Sequence, residues 1–165
     1  MTDKIRPSWD AYFLNVAKAV SARGDCTRRQ VGAVIVDFDK RIVSTGYNGS
    51  YPGGPSCLAG QCPRGKHYPV RTMRDDRTID EYCACGNAFF PCPDAVPPGS
   101  SYDTGPGACH ALHAEQNALL YAFRDVAGMT MYLTDTPCDG CMKLLHGARL
   151  GRIVAPHYEL VNAVW

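Results

Sequence analysis

Residues 112–155 read LHAEQNALLYAFRDVAGMTMYLTDTPCDGCMKLLHGARLGRIVA, and this run sets the architecture. Leu112, Ala118, Leu119, Ala122, Phe123 and Val126 recur at helical spacing, which predicts a helix from Leu112 to Val126 ending near Gly128. Thr130 to Thr134 alternates as a strand does. Thr136-Pro137 offers an N-cap and a first-turn proline to a helix running from Cys138 to about Arg149. Arg152 to Ala155 makes the next strand. Helix, strand, helix and strand joined by short connections predict an α/β domain with helices packed on a sheet.

Upstream, Ser8 to Arg23 places Trp9, Tyr12, Phe13, Val16, Ala17 and Val20 on one helical face, with Ser8 as N-cap and Gly24 as stop. Val31 to Val36 is a continuous apolar run, as in a strand covered on both faces. The turn Asp37-Phe38-Asp39-Lys40 joins it to Arg41–Gly46, which carries Ile42 and Val43, so the pair reads as a β-hairpin. From about residue 50 to 108 the character changes. Pro52-Gly53-Gly54-Pro55 and Pro97-Pro98-Gly99 punctuate a segment without hydrophobic periodicity that contains Cys57, Cys62, Cys83, Cys85 and Cys92. A loop of this length needs something other than an apolar core to hold it. We read residues 1–165 as one domain carrying a Cys-, Gly- and Pro-rich insertion at about 50–108.

The chain has 165 residues, 17 basic and 16 acidic, with a formal charge of +1. That balance argues against binding nucleic acid or anionic membrane through bulk charge. The longest apolar runs fall far short of the ~20 residues of a membrane helix, and the N-terminal residues have no apolar signal region. The expectation is a cytoplasmic protein. In a reducing compartment nine cysteines, an odd number, point to metal binding or catalysis before disulfides.

Two segments carry chemistry. Cys138 and Cys141, three residues apart at a helix start, face the same way and reach one ion; His113 adds a third donor. Three protein ligands with a fourth position open to water is the pattern of catalytic zinc, whereas structural zinc is closed by four. The helix dipole favours the two thiolates. Glu115, two residues beyond His113, is placed to move protons at the metal without ligating it. Alone, His113-Ala114-Glu115 is a common helix start, and Cys138-x-x-Cys141 is shared by structural zinc sites and redox pairs. Together, each at a helix start with a strand between them, they point to catalytic zinc. H-x-E followed by P-C-x-x-C is the signature of zinc nucleobase deaminases.

His-Ala-Glu-Gln-Asn-Ala-Leu (113–119) and Pro-Cys-Asp-Gly-Cys-Met-Lys (137–143) closely resemble the zinc-dependent cytidine and deoxycytidylate deaminase superfamily. Cys26-Thr-Arg-Arg-Gln-Val-Gly-Ala-Val-Ile-Val36 and Thr45-Gly-Tyr-Asn-Gly49 resemble its deoxycytidylate (dCMP) deaminase branch. The resemblance runs from Trp9 to about Val154, apart from much of the insertion. It implies a three-layer α/β/α fold around a mixed sheet of about five strands, and hydrolysis of dCMP to dUMP and ammonia. It implies zinc on His113, Cys138 and Cys141, with Glu115 moving protons to N3 and the leaving amine. The Ala114 amide would meet the base carbonyl, Asn48 the sugar or base, and Arg28, Arg29 and Gln30 would lie near the phosphate. Members are commonly homo-oligomers.

Cys26, Cys57 and Cys109 sit where relatives have cysteines, some of which help to bind a second, structural zinc. Cys62, Cys83, Cys85 and Cys92, with His67 and His110 nearby, are left to complete that site or form another. Tyr158 and Trp165 stack on a base, line an interface or simply pack. Two other readings compete: deamination of another cytosine or adenine nucleotide, nucleoside or nucleic acid, and a non-catalytic zinc module. The near-neutral charge speaks against a polynucleotide track. Glu115 speaks against a purely structural site.

Overall fold

The computed structural model describes residues 6–97, 100, 104 and 108–161; Pro98, Gly99 and Trp165 lie outside them. The elements are α1 (Trp9–Ser21), β1 (Gly32–Val36), β2 (Ile42–Tyr47), β3 (Pro69–Met73), β4 (Ile79–Cys83), α2 (Ala114–Leu120), β5 (Thr130–Leu133), α3 (Asp139–Gly147), β6 (Arg152–Ala155) and β7 (Tyr158–Val161). They fall into two compact units. One takes Met1–Asp25, Arg29–Gly49 and Leu112–Trp165, the other Cys26–Arg28 and Ser50–Ala111.

The first unit is built on a five-stranded sheet in the order β2-β1-β5-β6-β7. The β5–β6 pair is parallel and the other three are antiparallel. β1 is central and buried along its whole length, as its unbroken apolar sequence requires. Alternation sends Ala33 and Ile35 to one face, among Ala114 and Ala118 of α2 and Leu145 of α3. Val34 and Val36 go to the other, against Phe13 and Ala17 of α1 and Tyr132. The result is the expected three-layer α/β/α domain with a mixed sheet.

Two glycines set the spacing of these layers. A Cβ on Gly32 would lie 2.1 Å from the Ala17 carbonyl, and one on Gly46 would lie 2.2 Å from the Ala114 carbonyl and 2.4 Å from the Ala118 nitrogen. Both neighbours are backbone, so any side chain at either position pushes a helix off the sheet. Ser8 caps α1 as expected, accepting from the Ala11 N–H at 3.2 Å. Asp10 accepts two hydrogen bonds from Arg152 of β6, 2.7 and 2.8 Å, and a third from the Tyr132 hydroxyl at 2.8 Å.

Some boundaries differ from the sequence expectation. α2 stops at Leu120, not Val126. Beyond it the chain turns so that Arg124 pairs with Asp37 at the end of β1 and Asp125 accepts from the Ala127 N–H. The N-cap of α3 is Cys138, not Thr136. β7 follows β6 as an edge strand, and its Tyr158 packs on the core with its hydroxyl 3.9 Å from the Met142 sulfur. Among the described residues no helix is long and apolar enough to cross a membrane.

Gly49 and Leu112 exchange backbone hydrogen bonds of 3.0 and 2.9 Å, so the two residues that flank the 50–111 stretch are paired within the first unit. Inside the second unit the expected structureless loop contains an antiparallel hairpin, β3–β4. Ion pairs cross it: Arg71 donates to Glu81 at 2.7 Å, and Arg74 pairs with Asp80.

Candidate active site

The site lies where β2 and β5 end and β1 begins. Gly32 and Thr134 hold that edge together: the Gly32 N–H donates to Thr134 Oγ1 and the Thr134 N–H to the Gly32 carbonyl, both at 3.0 Å. α2 is locked onto β2 there. The Ser44 hydroxyl donates to the Ala118 carbonyl at 2.7 Å, and the buried Asn117 donates from Nδ2 to the Tyr47 carbonyl at 2.7 Å. With Gly46 removing the steric barrier, these bonds fix the start of the helix. His113 is its N-cap, and Gln116 Oε1 accepts from the His113 N–H at 2.7 Å.

α3 presents the other half. Cys138 caps it and Cys141 lies in its first turn. His113 Nδ1 is 3.5 Å from Cys138 Sγ and 3.3 Å from Cys141 Sγ, and the three donor atoms lie within 4.8 Å of one another. Zinc bonds of ~2.3 Å to sulfur and ~2.0 Å to nitrogen at tetrahedral angles space sulfur and nitrogen about 3.5 Å apart. The three donors therefore fit a zinc ion with one position left over.

Glu115 is buried beside them. Burial raises its carboxyl above the ordinary value, opposed by its own backbone N–H, by His113 and by a hydrogen bond to Cys141. Burial also pushes the Cys141 thiol up, reinforced by the nearby Glu115 carboxylate and Cys138. A thiol crowded in this way is one that a divalent cation converts to thiolate.

The other predicted site residues divide. Ala114 opens α2, so its amide is a first-turn N–H without a partner inside the helix. Asn48 is already engaged: Oδ1 accepts from the Val31 N–H at 2.8 Å and Nδ2 donates to the Arg29 carbonyl at 2.7 Å. Gln30 donates from Nε2 to the Gly24 carbonyl at 3.1 Å. Arg29 pairs with Asp135 at 3.0 Å. Arg28 is exposed and belongs to the second unit. Sequence reasoning missed Ser44, Asn117 and Asp135, whose roles depend on which strand end each helix meets.

The second unit gathers Cys26, Cys57 and Cys109 around Cys62. Cys62 is hydrogen-bonded to Cys57 and Cys109, and Cys26 lies close enough to Cys57 and Cys109 to disfavour their thiolates. Burial raises the Cys57 and Cys109 thiols. Burial opposes the Cys62 thiolate too, yet hydrogen bonds from Cys57 and from the Gly65 and Arg64 backbone lower its pKa overall. His67, Cys83, Cys85 and Cys92 form a separate group, with their donor atoms within 4.8 Å of one another. His110, exposed, is in neither.

Residues 7–156 match the family model described as the cytidine and deoxycytidylate deaminase zinc-binding region. The chain belongs to this family of zinc-dependent deaminases. It is 39% identical over 152 residues to the deoxycytidylate deaminase of Mycobacterium phage D29, covering 92% of this chain and 96% of that protein. It is 34% identical over 141 residues to the deoxycytidylate deaminase of Schizosaccharomyces pombe, covering 84% of this chain and 34% of the yeast protein. The dCMP deaminase of cyanophage S-TIM5, solved with dCMP and dUMP, shares the fold with a TM-score of 0.56 at 21% identity, over 92% of this chain and 82% of that one.

Proposed function

We propose that this protein is a zinc-dependent deaminase that converts dCMP and water to dUMP and ammonia. The observation that carries the reading is the convergence of His113, Cys138 and Cys141 at zinc-ligand spacing with the buried Glu115 carboxylate against them. The zinc that these three residues hold supplies, when bound, a water acidified from ~15.7 to about 7 and a Lewis-acid centre.

The residues do the rest. Glu115 accepts a proton from the attacking water and passes it to N3 of the cytosine. It then carries the second proton to the exocyclic amine, so that the C4–N bond breaks as C4=O forms and ammonia leaves. Its burial suits this work, because a carboxyl kept from water holds and releases a proton nearer neutrality. The Ala114 amide orients the base carbonyl. Asn48 spends one donor and one acceptor on the 29–31 backbone and keeps a second Nδ2 hydrogen for the sugar. Arg28 and Arg29 meet the phosphate, and Gln30 holds the turn beneath them.

We read residues 1–165 as one deaminase domain with the 50–108 insertion. Cys26, Cys57, Cys62 and Cys109 close a structural zinc site within the second unit. The near-neutral charge suits a free nucleotide in place of a polynucleotide. Trp9, Tyr12 and Ile42, apolar and exposed on α1 and the open β2 edge, suit a homo-oligomer, and nine cysteines kept for metal and not for disulfides suit the reducing cytoplasm. Ammonia release from dCMP by the zinc-loaded protein, lost in Glu115→Ala with zinc retained, tests the reading.

A further inference from the structure

The described residues of the second unit have almost no apolar interior. The residues buried there are Cys57, Cys62, Gly65, Cys83 and Cys92, so every buried side chain is a cysteine. Met73 and Ile79 of the hairpin and Phe89 of the loop after it turn their large apolar side chains outward, all more than 60% exposed. A two-stranded hairpin with nothing beneath it is marginal in water. Nevertheless Cys83, the last residue of β4, is fully buried, and its sulfur has other metal-donor atoms beside it. His67 Nδ1 is 3.6 Å away, and Cys85 and Cys92 complete the group.

We propose that His67, Cys83, Cys85 and Cys92 form a closed zinc site that holds the 67–92 module together, separate from both zinc sites argued above. Tetrahedral zinc with bonds of ~2.3 Å to sulfur and ~2.0 Å to nitrogen spaces two sulfurs about 3.8 Å apart and sulfur and nitrogen about 3.5 Å apart. The Cys85–Cys92 sulfurs are 3.6 Å apart, and Cys83 Sγ to His67 Nδ1 is also 3.6 Å. Three sulfurs and one imidazole leave no open position, which makes the site structural and selects zinc over hard cations.

The backbone explains how a spacing as short as Cys83-x-Cys85 serves one ion. Cys83 ends β4 and the chain reverses at once: the Gly86 N–H donates to the Cys83 carbonyl and the Cys83 N–H to the Asn87 carbonyl, both at 2.9 Å. Gly86 takes φ +96 there, a conformation open to glycine. The reversal returns Cys85 to the side of Cys83. His67 enters just ahead of β3 and Cys92 follows the turn, so one ion ties both strands of the hairpin to the loop behind it. Ligation releases the three thiol protons to solvent and contributes folding free energy directly. With this site every cysteine in the chain has a metal role.

The test is the zinc content of the purified full-length protein and of Cys85→Ser and Cys92→Ser. Cys85 is exposed, so serine there removes a ligand without opening a cavity. Each variant is expected to carry about one equivalent of zinc per chain less than the parent. Parental zinc content in folded Cys85→Ser overturns the proposal, as does a non-reducing peptide map that joins Cys85 to Cys92. If both variants fail to fold, peptide-resolved alkylation of the parent decides. Protection of Cys83, Cys85 and Cys92 until zinc is chelated supports the site, and their free reaction in the zinc-loaded protein refutes it.

Discussion

Arg29 and Asp135 form an ion pair, Nη1 to Oδ2 at 3.0 Å, that ties the segment entering β1 to the loop delivering Cys138 to His113. Both ends are substantially exposed, so the pair is worth no more than about 1 kcal/mol of stability. Its value is positional. Arg29 keeps further guanidinium N–H groups for an anion, next to Arg28 in sequence.

This arrangement predicts a split between substrates. A hydrogen bond to a charged group contributes about 1.5–3 kcal/mol. Arg28→Ala should therefore raise the KM for dCMP by roughly tenfold or more and leave that for deoxycytidine nearly unchanged. Steady-state kinetics on the two substrates check it, and equal effects on both remove Arg28 from phosphate binding.

Gly46 lies under the first turn of α2, against the backbone of Ala114 and Ala118. In Gly46→Ala the new methyl meets the backbone of Ala114 and Ala118, so α2 must lift from β2. Overpacking of this kind costs about 1–3 kcal/mol, read as a lower urea midpoint. Because Ala114 and Glu115 ride on the displaced turn, kcat should fall as well. A variant with parental stability and kcat would show that the helix has room to spare.

Cys57 sits among the thiols around Cys62. Cys57→Ser should lose about one equivalent of zinc per chain and much of the protein's thermal stability. Metal analysis with a melting curve measures both. Unchanged zinc content would exclude Cys57 as a ligand.

Asp10 gives an acid-side prediction. The hydrogen bond from Arg152 holds its carboxyl below the usual carboxylate value, against partial burial and with help from Tyr132. Its folded pKa lies below its unfolded one, so its stabilisation is complete above about pH 4 and lost as pH falls through the folded value. Asp10→Asn should be less stable than the parent at neutral pH, with the gap closing as pH falls below the ordinary carboxylate range. Urea midpoints across pH trace this, and a constant gap would contradict the ion-pair origin.

Much of this was legible in the sequence because periodicity and motif agreed. The apolar run 31–36 became the central strand, Ser8 caps its helix, and His113, Cys138 and Cys141 meet as their spacing implied. What escaped had local signals that mislead. The β3–β4 hairpin shows no apolar alternation because neither face meets a core, and its cross-strand pairs mix charged Arg71–Glu81 with apolar Met73–Ile79. β7 is a short edge strand. α2 ends early because Arg124 turns toward Asp37, a partner 87 residues away in sequence. Sorting Cys62 from Cys83, Cys85 and Cys92 needed the fold, since linear order says nothing of which thiols face one ion.

The most direct measurement is ammonia release by the zinc-loaded protein offered dCMP, CMP, deoxycytidine and dCTP side by side, with Glu115→Gln in parallel. Strong preference for dCMP is expected, and in the variant parental zinc content with deamination lost by several orders of magnitude. Deamination that survives Glu115→Gln, or no ammonia from any of the four with zinc in place, would contradict the proposed function.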